Sequence, residues 1–352
     1  MIGSHEARKD EVKRLYDAAF PNDLRWNDWF FERVYRDDEV LVLSDDGGIV
    51  SALFLQKYDF SFHGDMLQMG YVSGAATDRR HRHRGYMSRL LSSALHVARE
   101  RGDAIVGIIP ATRRLYFFYD RFGFATVVYS EIERFTSLHV FPRTEGYEAV
   151  TPRYDAFHNL EASRPTTVIH SASDFENILE DIASDKGVAV QINNPEGIPV
   201  AMAFATKNEN EIHVKEIFGT DSCALEMALG TIKSELDDTL PLTVWSLPGS
   251  HNYSLRAKGM LRIVNVEKIL SSLAGHSPSV KMTVRVSDAL LPENSGIYKL
   301  KDGKCHKSSQ KDEKLDLDVT VDVLTRILFS SESVGEVFGF PTDRPTMSLM
   351  LD

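Results

Sequence analysis

The stretch that decides the fold, Tyr71 to Gly102, reads YVSGAATDRRHRHRGYMSRLLSSALHVARERG. It begins as a small apolar segment typical of a strand, continues through six consecutive basic residues from Arg79 to Arg84, and reaches Gly85. Apolar residues then recur at helical spacing as far as Gly102, where a left-handed residue would end the helix. The first N–H groups of a helix have no intrahelical partner, and the helix dipole favours negative charge beside them. The sequence therefore predicts a strand, a turn and a helix that bind an anion at the turn.

The basic run between this strand and this helix allows two other interpretations. It could be a solvated surface loop with no ligand, or His81 and His83 could form a metal pair. Neither interpretation accounts for the strand before the run or for the helix that Gly85 opens. We therefore favour a phosphate-binding turn and expect no metal site.

The composition is that of an ordinary globular protein. The chain has 352 residues, enough for two or three domains, with 43% hydrophobic and 26% charged residues. No run approaches the roughly 18 apolar residues of a membrane span, and the charged first residues lack the apolar core of a secretory signal. The two cysteines, Cys223 and Cys305, are far apart and have no metal-like spacing. We expect a cytoplasmic protein without a membrane partner or a disulfide.

The formal net charge of −11 argues against nucleic-acid binding, whose affinity comes mainly from neutralising phosphates. The same acidic surface makes the basic run from Arg79 to Arg84 a local feature. An acidic body could attract a cationic substrate or could serve solubility alone, and the sequence leaves both possibilities open.

The N-terminal elements follow from the apolar periodicity and the turn residues. We predict helices at Val12–Ala19 and Arg25–Val34, strands at Val40–Leu43 and Ile49–Leu55, a strand ending near Phe62, a strand at Met66–Thr77, a helix after Gly85, a strand at Ala104–Ile109, a helix from Thr112 to Gly123, and a strand at Phe124–Ile132. Two helices, three antiparallel strands and then alternating strands and helices indicate an α/β unit.

This order of elements resembles the GNAT acyltransferase fold over roughly residues 5 to 135. Two motifs strengthen the resemblance: ATDRRHRHRGYM before the long helix, and FYDRFGF near the end of the α/β unit. The family signature is Gln or Arg, two variable residues, Gly, one variable residue, and then Gly or Ala. Here it reads Arg82-His83-Arg84-Gly85-Tyr86-Met87, so that Met87 departs from the usual small residue. The backbone N–H of Met87 remains available to a ligand.

The resemblance implies acetyl-CoA as the co-substrate and assigns residues to it. The pyrophosphate would be held by Arg82, His83, Arg84, Gly85, Tyr86 and Met87. The pantetheine arm would be held by the end of the preceding strand, at Ala75, Ala76 and Thr77, which would also provide an oxyanion-stabilising N–H.

The remaining two thirds of the chain extend the resemblance. Residues 155–270 repeat strands followed by a helix, but no Arg/Gln-x-x-Gly turn joins a strand to a helix there, so we expect no coenzyme A binding. From Val280 onward the pattern looks like a sterol-carrier-protein-like domain. An active GNAT unit, an inactive GNAT-like unit and a sterol-carrier-like unit occur in this order in the enhanced intracellular survival (Eis) family of N-acetyltransferases.

We therefore expect an α+β (α/β) chain of three domains. They are a GNAT acetyltransferase domain at 1–138, a degenerate GNAT-like domain at 150–274, and a small sterol-carrier-like α+β domain at 279–352. Because Eis relatives assemble into rings, a homo-oligomer is a further expectation.

Two candidate catalytic groups follow from the resemblance. Tyr119 matches the Tyr of the family's Tyr-x-x-Phe-Gly motif and is the candidate general acid, since a phenol with a pKa near 10 is protonated at neutral pH. It lies on the apolar stripe of its helix, so a core role is the alternative, with Tyr116 as a substitute. In the Eis family the C-terminal carboxylate enters the active site, which here makes Asp352 the candidate base. A terminal segment packed for stability alone is the alternative.

The second helix borders the acceptor site in GNAT folds, and here it is unusually aromatic. Trp26, Trp29 and Phe30 are candidates to contact the acceptor, because aromatic faces bind cations, and Asp23 could pair with an amine. Packing into the core is the alternative for several of these side chains.

The sequence as a whole predicts an acetyl-CoA-dependent N-acetyltransferase that acts on a primary amine, by direct attack in a ternary complex. Aminoglycoside-like polyamines and protein lysines are both open as acceptors. One alternative is an acyltransferase with a longer donor. The other is a non-catalytic protein that binds a lipid or another ligand in its sterol-carrier-like domain.

Overall fold

The computed structural model describes residues 9–22, 24–45, 47–246, 255–309, 314–329, 339 and 344–351. By their contacts these residues form two compact units. Unit 1 contains the described residues within 1–128 and 258–345 together with Leu351, and unit 2 contains those within 129–257 together with Thr346–Met350. Residues 258–274, which the sequence placed in the middle domain, thus have most of their contacts in unit 1. The three boundaries drawn from the sequence, 1–138, 150–274 and 279–352, stay predictions.

The N-terminal elements follow the predicted order with one correction: the strands predicted at Ile49–Leu55 and ending near Phe62 form one continuous strand, because the chain between them stays paired with the next strand. They are α1 (Lys9–Ala19), α2 (Leu24–Arg33), β1 (Val40–Asp45), β2 (Gly48–Phe62), β3 (Asp65–Thr77), α3 (Tyr86–Arg101), β4 (Ile105–Ile108), α4 (Arg113–Asp120) and β5 (Ala125–Phe135). Strands β1, β2 and β3 pair antiparallel, and β4 pairs parallel with β3. The apolar stripe of α3, which includes Leu90, Leu91 and Leu95, is fully buried against this sheet. Gly102 ends α3 in a left-handed conformation with φ 93°, as its position in the sequence indicates.

The middle of the chain repeats this order. Its elements are β6 (Glu148–Val150), α5 (Tyr154–Ala162), β7 (Thr166–Ile169), α6 (Ala172–Ser184), β8 (Val188–Asn193), β9 (Pro199–Lys207), β10 (Ile212–Gly219), α7 (Ser222–Leu236) and β11 (Leu242–Ser246). Strands β8, β9 and β10 pair antiparallel, and β11 pairs parallel with β10. Two helices, three antiparallel strands, a helix and a parallel strand thus occur in both units, as the sequence-based interpretation of an internal repeat requires.

The last part of the chain forms a smaller α+β layer. Strand β12 (Leu255–Ile263) precedes this layer and pairs with β4 instead. The elements of the layer are α8 (Val266–His276), β13 (Met282–Ser287), β14 (Gly296–Lys301), β15 (Lys304–Ser308), β16 (Leu317–Thr320) and α9 (Val321–Phe329). Strands β15, β14, β13 and β16 form a four-stranded sheet in that order, and α8 packs on β14 and β15. The mixed α/β class predicted from the sequence is confirmed.

Unit 1 contains a contact that the sequence does not reveal. Strand β12 pairs antiparallel with β4, from Met260 opposite Ile108 to Ile263 opposite Ile105. The loop after β13 places Leu291, which is fully buried, in the same core cluster as Leu95 of α3. Residues from β12 and from the loop after β13 therefore belong to the same hydrophobic core as β4 and α3.

No helix in the described part of the chain has the length and apolar character that crossing a membrane requires. Over the same residues, no three His, Cys, Asp or Glu side chains come together as a metal ion would need.

Replacing Leu291 with Ala should lower the free energy of unfolding by about 2–5 kcal/mol, because the change leaves a cavity in the shared core. The measurement is urea unfolding followed by circular dichroism. Leu138→Ala is the control, since Leu138 is 88% exposed and its loss should cost less than about 0.5 kcal/mol. Equal effects of the two changes would contradict a core shared by the two ends of the chain.

Candidate functional site

Strand β3 is longer than the strand that pairs with it in parallel. The pairing with β4 runs from Met69 opposite Ile105 to Val72 opposite Ile108, where β4 ends, whereas β3 continues to Thr77. On its other side β3 stays paired with β2 as far as Thr77. Residues 73–77, the open edge of β3, therefore have no paired strand on the β4 side among the described residues. Ala75, Ala76 and Thr77, which the sequence assigns to the donor, lie on this edge.

A glycine and a bulge shape the open edge. The β2–β3 register shifts between Ala52 and Phe54, opposite the segment that contains Gly74. Gly74 has φ 56°, and a Cβ atom there would lie 2.4 Å from Phe54 and 2.7 Å from Tyr16. Only glycine allows both this conformation and this approach. The sequence analysis did not select Gly74, although an isolated glycine inside a strand pattern signals such a bulge.

The turn after β3 is organised by a carboxylate that the sequence analysis also missed. Asp78 accepts hydrogen bonds from the backbone N–H of Arg80 at 2.9 Å and from Nδ1 of His81 at 3.0 Å. The hydrogen bond with His81 is the main reason why the pKa of Asp78 is lowered. Arg82 donates from Nε to the carbonyl oxygen of Thr77 at 3.1 Å. These contacts join the last residue of β3 to the basic run.

The second half of this turn leads into α3 through left-handed residues. His83 has φ 64° and Gly85 has φ 81°. A Cβ atom on Gly85 would meet no atom within 4 Å, so this glycine serves the backbone conformation and the space above it is open. A turn that contains left-handed residues can direct successive backbone N–H groups to one side, which suits an anion. We call residues 78–88 the anion-binding turn.

The N-terminus of α3 adds further donors to the anion-binding turn. The first helical hydrogen bond runs from the N–H of Arg89 to the carbonyl of Gly85 at 3.0 Å. The N–H groups of Tyr86, Met87 and Ser88 therefore have no acceptor within the helix. Arg82, His83 and Arg84 are exposed beside them. Backbone donors, a helix dipole and two arginines thus converge on one open site.

The side chains of Tyr86 and Met87 both contact other residues of unit 1. The hydroxyl of Tyr86 donates a hydrogen bond to Asp45, which is the main reason why the pKa of Tyr86 is raised. The side chain of Met87 is half-buried and packs against the core cluster beneath α3. The core therefore accommodates the large residue that stands where the family signature has a small one.

Tyr119, the candidate general acid, lies in the core of unit 1. It is 4% exposed, and its ring packs against Phe118 and Phe124 at centroid distances of 5.2 and 5.9 Å. Burial alone raises the pKa of Tyr119 to about 12. The same core cluster contains Val72 and Ile108, the last pair before β3 and β4 separate. The phenol of Tyr119 thus belongs to the same core cluster as the last β3–β4 residue pair before the open edge.

The candidate acceptor residues on α2 have unequal exposure. Phe30 is 1% exposed and stacks on Trp26 at 5.1 Å, so it serves the core. Trp26 and Trp29 are half-buried, and the indole Nε1 of Trp29 is buried without a hydrogen-bond partner among the described residues. Asp23 lies outside the described residues. The acceptor assignments stay predictions.

The C-terminal residues are bound to unit 2. The N–H of Thr346 donates to Thr166 at 3.0 Å, and the N–H of Val168 donates to Thr346 at 3.1 Å, so this segment forms a parallel bridge beside β7. Thr346 and Met347 are buried, and Leu349 adopts a left-handed φ of 55°. Asp352 lies outside the described residues, and its role as a base stays a prediction.

The helix of unit 2 that corresponds to α3 begins differently. Its N-cap, Asp221, accepts a hydrogen bond from the N–H of Cys223 at 2.9 Å and another from the hydroxyl of Tyr147. A carboxylate of the chain itself therefore occupies the place where a bound anion would sit. The expectation that only the N-terminal unit binds coenzyme A stays a prediction.

A cavity of about 650 Å³ lies at the opposite end of β3 from the open edge. Its lining is mixed polar and apolar and comes from the first residues of β3 and from α8, including Asp65, Met66 and Ser272. It contains none of the residues that the sequence assigns to the donor or to the acceptor.

Two family models match the sequence. Residues 4–127 match the model described as an acetyltransferase (GNAT) domain, and residues 266–337 match the model described as a sterol carrier protein domain. Together the two matches cover more than half of the chain. No curated protein matches the sequence.

Several solved structures share the fold of nearly the entire chain. A protein of unknown function from Enterococcus faecalis, described as a probable N-acyltransferase, superposes with a TM-score of 0.77 at 14% identity, over 97% of this chain and 93% of that one. A GCN5-related N-acetyltransferase from Anabaena variabilis gives 0.76 at 15% identity, over 97% and 94%. Eis1 from Mycobacterium abscessus gives 0.72 at 14% identity, over 98% and 93%. At these identities the similarity concerns the fold.

Replacing Gly74 with Ala should lower the free energy of unfolding by about 2–5 kcal/mol, because the change adds a steric clash to the cost of the left-handed conformation. Gly47→Ala is a matched control: Gly47 has φ 83°, but a Cβ atom there meets nothing within 4 Å. The control should cost only about 1–2 kcal/mol. Equal losses in urea unfolding would show that the contact of Gly74 with Phe54 is unimportant.

Proposed function

The chain is a GNAT-type acetyltransferase with a C-terminal sterol carrier protein domain, and from this premise we propose that it transfers an acetyl group from acetyl-CoA to a primary amine. The family and the fold predicted from the sequence are confirmed by the two family models and the shared fold. The donor, the acceptor and the roles of individual residues are the content of the proposal.

The observation that carries the proposal is the open edge of β3 beside the anion-binding turn. The pantetheine arm of coenzyme A contains amide groups, which can pair with the N–H and C=O groups of an unpaired strand edge. Its pyrophosphate needs several N–H donors and positive charge, which the N-terminus of α3 and the exposed Arg82 and Arg84 supply. These two parts of the site follow one another directly along the chain, as the two parts of the ligand do.

Tyr119 acts as the general acid in this proposal. The amine nitrogen forms a bond to the thioester carbonyl carbon and loses one proton to the base, while the carbon–sulfur bond breaks and the departing sulfur takes the phenolic proton. A proton from solvent then restores the phenol. The pKa of Tyr119, about 12, keeps the phenol protonated at neutral pH. A thiol has an ordinary pKa of about 8.5, and the burial that raises the pKa of the phenol also disfavours a thiolate beside it. The thiolate therefore becomes a stronger proton acceptor than it is in water.

The C-terminal carboxylate is the proposed base or orienting group for the amine. An α-carboxylate has a pKa of about 3.5 and is ionised at neutral pH. Support for this role comes from the resemblance to the Eis family, in which the C-terminal carboxylate enters the active site. The acceptor itself is a primary amine, either small and polyamine-like or a lysine side chain. The net charge of −11 favours the approach of either one.

Tyr119→Phe should lower kcat by about 100- to 10,000-fold and leave the KM for acetyl-CoA nearly unchanged, because only the proton donor is lost. The assay measures thiol release from acetyl-CoA with a panel of amines. Since the phenol keeps its proton below its pKa of about 12, the wild-type kcat should show no loss due to Tyr119 between neutral pH and about pH 10. Tyr116→Phe is the comparison: a large loss there, with full activity in Tyr119→Phe, would move the role to Tyr116.

Extending the chain by three alanines after Asp352 should lower kcat by at least about 100-fold, because the terminal carboxylate is displaced. Binding of coenzyme A, measured by calorimetry, should stay the same. Asp352→Asn is the matched control, since it keeps the α-carboxylate and should stay active. Full activity of the extended chain would eliminate the C-terminal carboxylate as the base.

A further inference from the structure

Unit 1 contains a fully buried ion pair that no part of the proposed reaction uses. Arg262 of β12 is 0% exposed, and Asp288, just after β13, is 5% exposed. Nη2 of Arg262 donates to both carboxylate oxygens of Asp288, at 2.8 and 3.0 Å. Burial lowers the pKa of Arg262, and Asp288 opposes this effect. A buried pair of this kind needs further hydrogen bonds to offset its desolvation, and their location shows what the pair holds.

The carboxylate of Asp288 is fixed by its own loop. Oδ1 accepts hydrogen bonds from the N–H groups of Leu290 and Leu291, at 3.1 and 3.0 Å. Oδ2 accepts one from Nδ2 of Asn294 at 2.9 Å. Leu291 lies in the core cluster that also contains Tyr119. Asp288 is therefore a rigid, fully bonded acceptor that belongs to the sterol carrier protein domain.

The guanidinium of Arg262 connects this acceptor to the end of α4. Its Nε donates to the carbonyl oxygen of Phe122 at 2.9 Å, and its Nη1 donates to the carbonyl oxygen of Ile263 at 2.7 Å. The N–H of Phe122 in turn donates to the carbonyl of Tyr119 at 2.9 Å. Gly123 lies against the guanidinium, since a Cβ atom there would be 3.4 Å from Nε of Arg262. The positive charge thus holds the carbonyl end of the helix that carries Tyr119, where a cation is stabilising.

The same network reaches the helix of the anion-binding turn. Oδ1 of Asn294 accepts a hydrogen bond from Nη1 of Arg99, near the end of α3, at 2.6 Å. Arg99 also donates to the carbonyl oxygen of Val264 at 2.7 Å. Asp288 and Asn294 both belong to the sterol carrier protein domain. Asp288 is hydrogen-bonded to Arg262, which contacts the end of α4, and Asn294 is hydrogen-bonded to Arg99, which lies near the end of α3.

We propose that Asp288 is a positioning residue for acetyl transfer, which acts through Arg262 to fix the C-terminal end of α4 and with it the phenol of Tyr119. The proposal rests on the proposed function, in which Tyr119 is the proton donor. It assigns the sterol carrier protein domain a catalytic task that needs no lipid, because the domain supplies the buried carboxylate that orients the acid of another domain.

The expected effect follows from how strongly catalysis depends on geometry. In Asp288→Asn the carboxylate loses its charge, so Arg262 is left without its buried counter-ion and the hold on Phe122 loosens. A displacement of a catalytic group by about 1 Å costs on the order of 100-fold in rate. Among the described residues, the network meets α3 only at Arg99, at the opposite end of the helix from the anion-binding turn. The loss should therefore appear in kcat and not in the KM for acetyl-CoA.

The test is a double-mutant cycle on kcat with wild type, Asp288→Asn, Tyr119→Phe and the double variant. Asp288→Asn should lower kcat about 100-fold in the wild-type background and less than about threefold in the Tyr119→Phe background, because the group it positions is absent there. A purely structural role would give the same factor in both backgrounds and would overturn the proposal. A kcat of Asp288→Asn equal to that of wild type would overturn it as well.

Arg326→Ala is the matched control, because Arg326 forms an ion pair with Asp120, at the end of α4, at 3.1 Å, and both side chains are about half exposed. Its kcat should stay within about twofold of wild type, as an exposed pair contributes little. If Asp288→Asn does not fold, Arg262→Lys replaces it in the cycle. Lysine keeps the positive charge but cannot bond at once to Phe122, Ile263 and Asp288 as the guanidinium does. If neither variant is folded at the assay temperature, the pair is a requirement of folding and the proposal fails. Absence of thiol release by the wild type itself would instead refute acetyl transfer.

Discussion

Strand β3 pairs with β2 from Asp65 to Thr77, with one register shift, whereas its pairing with β4 ends at Val72. The other features of the site depend on this constraint. In the described part of the chain, the separation leaves residues 73–77 without a partner strand on one side, and the absence of a side chain at Gly74 allows the backbone to lie close to Phe54 and Tyr16. The strand then ends directly before the anion-binding turn, whose conformation depends on Gly85 and on the hydrogen bonds of Asp78. Backbone geometry, more than the charge of the basic run, is therefore what makes this region the candidate site.

The two units share an order of elements but differ at the start of the helix that follows the three antiparallel strands. Both contain two helices, three antiparallel strands, a helix and a parallel strand. In unit 1 the helix begins with a left-handed glycine and open space, and in unit 2 it begins with Asp221, whose carboxylate already occupies the N-terminal donors. One residue at the start of a helix thus separates the proposed anion site from a capped helix end, as expected when function belongs to sites rather than to folds.

The features that the sequence predicted are local, and those that it missed depend on contacts between distant residues. The strand before the basic run, the start of the helix at Gly85 and the cap at Gly102 all follow from patterns of a few residues, and the structure shows each of them. The pairing of β12 with β4 and the contact of Arg262 with Asp288 leave no such pattern. Helical spacing also could not separate Phe30, which is buried, from Trp26 and Trp29, which are half exposed, because all of them lie on one short helix.

The central claim is that coenzyme A binds along the open edge of β3 and at the anion-binding turn, and amide hydrogen exchange with and without acetyl-CoA tests it most directly. Backbone N–H groups that bond to the ligand should exchange more slowly when it is bound. The account predicts slower exchange in peptides covering residues 73–88 and unchanged exchange in peptides covering residues 219–226 of unit 2. Slower exchange at residues 219–226, or unchanged exchange at residues 73–88 with acetyl-CoA in excess, would contradict it.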